Sequence, residues 1–219
     1  MRCVAGLLAA ALSLNAAPDA KLAFTKSFPG STPAFESIEL QTSGDLVYQE
    51  STNDSQPVRA KMNTADAVVL FTLAEKLGYF KTPLESGLKV ANTGRKIFRY
   101  VDANGAVTQQ VFNYSTDPAA QQLLDRFEQI GATERAYIDL DRTMHFDKLG
   151  VNDSLATIES LWLRKQLAAP DQFVPLLTRI ANHESYMHLV RERAAKLKDE
   201  FTAPPVAAQQ SAKSEQSPK

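Results

Sequence analysis

The 219-residue chain has one cysteine, Cys3, and no apolar run of the roughly 20 residues that a membrane-spanning helix needs. A single cysteine excludes an intramolecular disulfide, so the fold must be stabilised by its hydrophobic core. Its 24 Lys and Arg residues nearly balance 25 Asp and Glu residues, for a net charge of -1. This balance gives no electrostatic reason to expect binding to nucleic acid or to anionic lipid.

The first 17 residues have the pattern of a signal peptide. Arg2 precedes an uncharged apolar run at residues 4–14, and the small residues Ala16 and Ala17 follow it. Cys3 lies before the apolar run, which is too early for a lipoprotein site. The sequence therefore predicts a secreted or periplasmic protein with no transmembrane segment in the mature chain. An uncleaved anchor and a misassigned start codon are the alternatives.

Residues 18–131 show the pattern of an α+β domain. Alternating or β-branched segments and turn residues such as Ser43-Gly44 and Asn104-Gly105 predict strands and hairpins. Strands are predicted at residues 21–28, 35–42, 45–50, 58–62, 95–101 and 107–114. Helical spacing of apolar residues predicts two helices, at residues 63–77 and 117–130, each followed by a glycine. The expected fold is a mostly antiparallel sheet covered by two helices.

Residues 132–201 are predicted to form a C-terminal four-helix bundle. Gly131 is interpreted as the end of the preceding helix, and four apolar stripes with helical spacing follow it. These stripes predict helices at residues 133–149, 152–167, 170–181 and 184–201. Residues 202–219 are rich in Pro, Ala, Gln and Ser, a composition that predicts a disordered tail.

The corner at residues 28–35, FPGSTPAF, resembles the opening motif of a secreted bacterial domain family of unknown function, Cys-Phe-Gly-x-Cys-Pro-x-Tyr. The matching positions are Gly30, Pro33, Phe35, Gly44 and Tyr48. The two cysteines of the family fall on Phe28 and Thr32, so any role they have there is absent from this chain. The resemblance covers residues 21–131; it implies a fold for them and no activity.

The helical half has a second similarity, to helical-repeat hairpins. The sequence pattern of such a hairpin is found at residues 173–181, in a short Asn182-His183 link and at residues 190–195. One hairpin without an internal repeat does not predict a solenoid.

Asp141 and His145 are the candidate catalytic residues. They are four positions apart on a predicted helix, so the carboxylate could orient the imidazole as a general base. No motif places a Ser or Cys nucleophile beside them. An exposed, solvated helix face explains the same residues equally well.

His183 and His188 are the candidate metal ligands. Their spacing is one residue longer than that of a zinc-protease helix, so on one helix they point about 140° apart. No cysteine remains in the mature chain to complete a site. The competing interpretation is an exposed ion pair of Glu184 with His188 near the start of a helix.

The sequence contains neither a Gly-x-Ser-x-Gly elbow nor a phosphate-binding loop. Taken together, these patterns predict a non-catalytic binding or scaffolding module of the cell envelope, without a cofactor and with a protein or another envelope component as its partner. The alternative is a hydrolase that uses the Asp141–His145 pair, or a weak metal site at His183 and His188.

We expect the exported protein to begin near Ala17 or Pro18, because an apolar run of this length is typical of a cleaved signal. N-terminal sequencing of exported material checks this. A variant carrying Leu7→Arg and Leu8→Arg should remain inside the cell with its leader intact. Exported protein that still begins at Met1 would contradict the prediction.

Overall fold

Six strands form one antiparallel sheet and five α-helices accompany it in residues 19–203, the part of the chain that the computed structural model describes. The α+β class, the antiparallel sheet and the helical C-terminal part are as predicted from the sequence. The predicted signal peptide and residues 204–219 of the predicted tail lie outside the described residues.

The elements follow the chain in the predicted order. The strands are β1 (Lys21–Ser27), β2 (Phe35–Gln41), β3 (Asp45–Gln49), β4 (Val58–Lys61), β5 (Arg95–Val101) and β6 (Val107–Phe112). The α-helices are α1 (Thr64–Lys76), α2 (Pro118–Phe146), α3 (Val151–Leu163), α4 (Val174–Asn182) and α5 (His188–Thr202). Short 3-10 turns at Gly78–Phe80 and Pro170–Phe173 follow α1 and precede α4.

The sheet has the order β4-β3-β2-β1-β5-β6, so β1 lies at its centre between β2 and β5. Gly44 makes the β2–β3 hairpin possible. Its φ of 89° is a left-handed conformation, and a Cβ there would lie 2.3 Å from the backbone oxygen of Met62. Only glycine fits this turn, which fixes the register of β2 and β3.

One face of the sheet forms the first hydrophobic core with α1 and α2. Strand alternation directs eight fully or almost fully buried side chains towards these helices, namely Leu22, Phe24, Ile38, Leu40, Leu46, Tyr48, Phe98 and Phe112. The rings of Phe24 and Phe127 stack with centroids 5.3 Å apart, which attaches α2 to the central strand.

Helix α2 continues through Gly131, so the predicted helix end at this residue is wrong, and so is the separate helix predicted over residues 133–149. Gly131 is helical, and a Cβ there would lie 2.9 Å from Oε2 of Glu36. The glycine admits a close side-chain approach in the middle of a helix instead of ending the helix.

Glu36 and Arg135 form a salt bridge at this point, with 2.6 Å between Oε2 and Nη1. The Glu36 side chain is only 7% exposed and comes from the helix-facing side of β2. The pair therefore joins the sheet to α2 where the first core ends, at Ile130, and the second begins, at Ala136.

The second core lies among the C-terminal half of α2 and the helices α3, α4 and α5. Its fully or almost fully buried members are Leu140, Val151, Leu155, Ile158, Phe173, Leu177, Ile180, Val190, Ala194 and Leu197. Trp162 is half-buried and packs edge-on against Phe201, with ring centroids 5.0 Å apart.

Three helices of the bundle are shorter than predicted. Helix α4 begins at Val174 and not at residue 170, because residues 170–173 form a 3-10 turn. Helix α3 ends at Leu163, which is 72% exposed, because the chain reverses immediately after it. Helix α5 begins at His188 and not at residue 184, because a turn bonded from the Tyr186 amide to the His183 carbonyl precedes it. Within residues 19–203, no helix combines the length and apolar character required to cross a membrane.

We expect Arg135→Met to lower the free energy of unfolding by about 3 kcal/mol, because it leaves the buried Glu36 carboxylate without its cation. Denaturant unfolding provides the measurement. Part of the loss should return when Glu36→Gln is added, since the unpaired charge is then gone.

Arg142→Met is the matched control. It removes another ion pair of α2, but Arg142 and its partner Asp139 are 68% and 43% exposed, so we expect a loss below about 1 kcal/mol. Equal losses in the two variants would contradict a structural role for the Glu36–Arg135 pair.

Candidate functional site

Asp141 and His145 lie together near the end of α2, as their spacing requires. Nδ1 of His145 is 3.6 Å from Oδ1 of Asp141 and 2.7 Å from the Asp141 backbone oxygen, and both side chains are about half exposed. Within residues 19–203, no Ser, Thr or Cys side chain makes a hydrogen bond to Asp141 or His145. The pair lies on an open helix face.

His183 and His188 lie on separate elements. His183 is the C-cap residue of α4, and its Nδ1 lies 2.8 Å from Oγ of Ser185. His188 is the first residue of α5. The predicted Glu184–His188 ion pair is wrong, because Nδ1 of His188 lies 3.3 Å from Oε2 of Glu192 on the next turn. Among the described residues, no group of three or more His, Cys, Asp or Glu side chains could hold a metal ion.

A cleft lies between α1, α2 and the segment that follows α3. Its deep part encloses about 140 Å³. The floor is formed by Met62, Leu70 and Ile130, each at most 4% exposed. Three charged residues stand along the lining, Asp66, Arg126 and Lys165. The site therefore combines an apolar floor with charges of both signs.

An open extension of about 470 Å³ continues the cleft between α1 and α2. Val69, Arg126 and Gln129 line both parts, so the two parts adjoin, and together we call them the groove. Val68 and Val69 face it from α1 and are 55% and 43% exposed. Two adjacent exposed valines on the outer side of an amphipathic helix were the sequence signal for this groove, and the search for catalytic motifs missed it.

The wall of the deep part follows α3. Lys165 occupies the left-handed position of a helix-ending Schellman motif, in which the Gln166 amide donates to the Leu161 carbonyl and the Lys165 amide to that of Trp162. Ala169 is also left-handed, with φ of 44°, and precedes Pro170. A left-handed alanine costs roughly 1–2 kcal/mol, so the rest of the structure must hold this wall in place.

Two buried polar side chains of α2 hold that wall. Oγ1 of Thr133 accepts a hydrogen bond from the Ala168 amide at 2.9 Å, and Oε1 of Glu134 accepts one from Nε2 of Gln172 at the same distance. Both α2 residues are at most 1% exposed. The wall therefore moves only if these buried contacts break.

Glu134 is incompletely satisfied in this position. Its Oε2 has no hydrogen-bond partner among the described residues. Burial raises the pKa of the Glu134 carboxyl from its ordinary 4.5 to about 7, and the bond from Gln172 opposes this only in part. The side chain is thus an acid that keeps its proton in the folded protein at mildly acidic pH.

The free energy of unfolding should fall as the pH rises from about 4.5 to about 7, because the folded protein keeps the Glu134 proton and the unfolded chain releases it. The fall should be on the order of 3 kcal/mol. Glu134→Gln should remove this fall, which makes the variant more stable than the parent at pH 8. Urea unfolding across this pH range measures the effect.

Glu75→Gln, on an exposed position of α1, is the control and should keep the pH dependence of the parent. If Glu134→Gln keeps it as well, the carboxyl of Glu134 is not the titrating group.

In comparisons with known proteins, no protein-family model matches this chain and no curated protein is significantly similar to it. The resemblances of the corner at residues 28–35 and of the helical half therefore stay predictions.

Proposed function

We propose that the protein is a non-catalytic binding module of the cell envelope that holds its partner in the cleft between α1 and α2. The observation that supports this proposal is a cleft that opens to solvent, has an apolar floor and is bordered by Asp66, Arg126 and Lys165. A few polar groups around an apolar depression are typical of binding sites.

The shape of the cleft, a small deep part beside a wide open one, favours a macromolecular partner. Its deep part, at about 140 Å³, is smaller than the roughly 300 Å³ at which small-molecule pockets begin. It has room for one apolar side chain or a similar group. The remainder of the partner would lie along the open extension, against Val68 and Val69.

The charges around the groove are suited to orienting a bound partner, and not to attracting every partner of one charge sign. Asp66 and Asp125 lie near Arg126, Lys165 and Lys76, so neither sign dominates. Arg126 lines both parts. Among the residues that the structure describes, its guanidinium donates only to Gln129, at 3.3 Å, which leaves most of its donors for a partner. Opposite charges at fixed positions set the register of a bound chain more than its affinity.

The envelope location in this proposal rests on the apolar run at residues 4–14 and on the small residues that follow it. The binding role rests on the cleft. The two parts can fail separately, since a cytoplasmic protein could carry the same cleft.

A photo-crosslinking residue at position 69 tests the binding role in living cells. Val90 provides a matched control, since it is 42% exposed against 43% for Val69 and lies outside the groove. We expect a discrete crosslinked species from position 69 in the envelope fraction and none from position 90. Arg126→Ala should weaken that species, because Arg126 borders both parts of the groove.

Crosslinks of equal yield at the two positions would show random encounter and would contradict the proposal. Their absence at both positions would contradict it as well.

A further inference from the structure

The sheet has a second face, turned away from α1 and α2. Strand alternation leaves every other side chain of the six strands on this face, and none of these residues is buried. We call it the open face.

The open face is positively charged although the whole chain carries -1. Its cations are Lys21, Arg59, Lys61, Arg95 and Arg99, and its acids are Glu39 and Asp45. Both acids are neutralised by lysines, in pairs of 2.7 Å to Lys21 and 2.8 Å to Lys61. The three arginines are exposed and make no ion pair or side-chain hydrogen bond within residues 19–203. An unpaired positive charge therefore remains on this face.

Branched apolar side chains accompany the arginines. On β5 and β6, Ile97 is directly opposite Val111, and Val101 is directly opposite Val107. Val107 and Val111 are 48% and 39% exposed. Each apolar pair lies beside Arg99, which separates Ile97 from Val101 along the strand.

Small side chains give this face a shallow trough. The central strand β1 presents Ala23, Thr25 and Ser27, and Ser37 of β2 lies opposite Thr25, with their hydroxyl oxygens 3.5 Å apart. The larger Arg95, Ile97 and Arg99 stand beside these residues on β5. An α-helix that lies along β5 therefore has room beside that strand, above the small side chains of β1.

We propose that the open face binds an acidic amphipathic helix of a partner protein. Arg95 and Arg99 are four residues apart on β5, which is about 13 Å at 3.3 Å per residue. Acidic residues at positions i and i+7 of a helix are about 10.5 Å apart, within reach of two long arginine side chains. Apolar residues at i+3 and i+4 of that helix then face Ile97 and Val111.

The same observations disfavour the other occupants. A phosphate-rich polymer would pair with the arginines but would leave the apolar pairs at Ile97 and Val101 uncovered. A second copy of this chain related by two-fold symmetry would bring two positively charged faces together, and like charges at an interface cost several kcal/mol. An acidic helix satisfies the charge and covers the apolar side chains.

This site is independent of the cleft. The open face lies on the opposite side of the sheet from α1 and α2, and no residue belongs to both. Failure of either proposal leaves the other unchanged.

A designed peptide tests the proposal with the purified full chain. The probe is a fluorescent helical peptide with Glu at i and i+7 and Leu at i+3 and i+4 in an Ala/Gln background, and fluorescence anisotropy measures its binding. Arg95→Glu and Arg99→Glu should each weaken binding about tenfold or more, because they bring like charges together. Ile97→Thr and Val111→Thr should each weaken it about threefold or more, because they remove apolar contact. All four are substitutions of strand residues that are not buried, and thermal melting confirms that each variant folds.

Arg179→Glu is the control protein variant, since Arg179 is an exposed arginine of α4 and the substitution changes the net charge equally. It should bind the probe like the parent. The control peptide has the same composition with Glu and Leu on different faces, and it should bind at least about tenfold more weakly.

Two outcomes would show a general attraction for polyanions and overturn the proposal. One is equal binding of the two peptides. The other is weaker binding in the arginine variants without weaker binding in the Ile97 and Val111 variants. Absence of binding, or a dimer whose formation depends on Arg99, would overturn it as well.

Discussion

The contact between Glu36 and Arg135 is the constraint on which the arrangement of this molecule depends. It fixes a helix of 29 residues, about 44 Å long, at the place where that helix leaves the sheet and enters the bundle. The helix supplies Phe127 to the first core and Leu140 to the second. Loss of Arg135 would leave a nearly buried carboxylate unpaired, so this pair helps to hold α2, which spans both cores, against the sheet.

The strands could be predicted from the sequence because their signals are local. Residues 95–101 form β5 as expected, since alternation and the turn at Asn104-Gly105 are contained within the hairpin itself. The helix ends depended on distant residues. In the sequence Gly131 looks like the end of a helix, and only its contact with Glu36, 95 positions earlier in the chain, explains why it lies inside one. Lys165 ends α3 in a left-handed conformation that is usually taken by glycine.

The cleft could not be predicted for a similar reason. Its floor joins Met62, Leu70 and Ile130, and its wall comes from Ala168 to Pro170, so three separate parts of the chain must meet before it exists. The residues chosen by spacing, such as Asp141 and His145, are indeed neighbours on a helix. Spacing determines which side chains share a helix face, but it does not determine whether that face opens into a pocket.

The position of the cleft at the junction of the two cores decides how a bound partner would act on the fold. The floor residues Met62, Leu70 and Ile130 are packed within the first hydrophobic core, so the floor has little room to move. The wall is held by single hydrogen bonds to Thr133 and Glu134, and it contains the strained Ala169. A group that presses into the cleft therefore displaces the wall before the floor. Because Thr133 and Glu134 belong to α2 just beyond Gly131, that displacement acts on the stretch of α2 that enters the bundle.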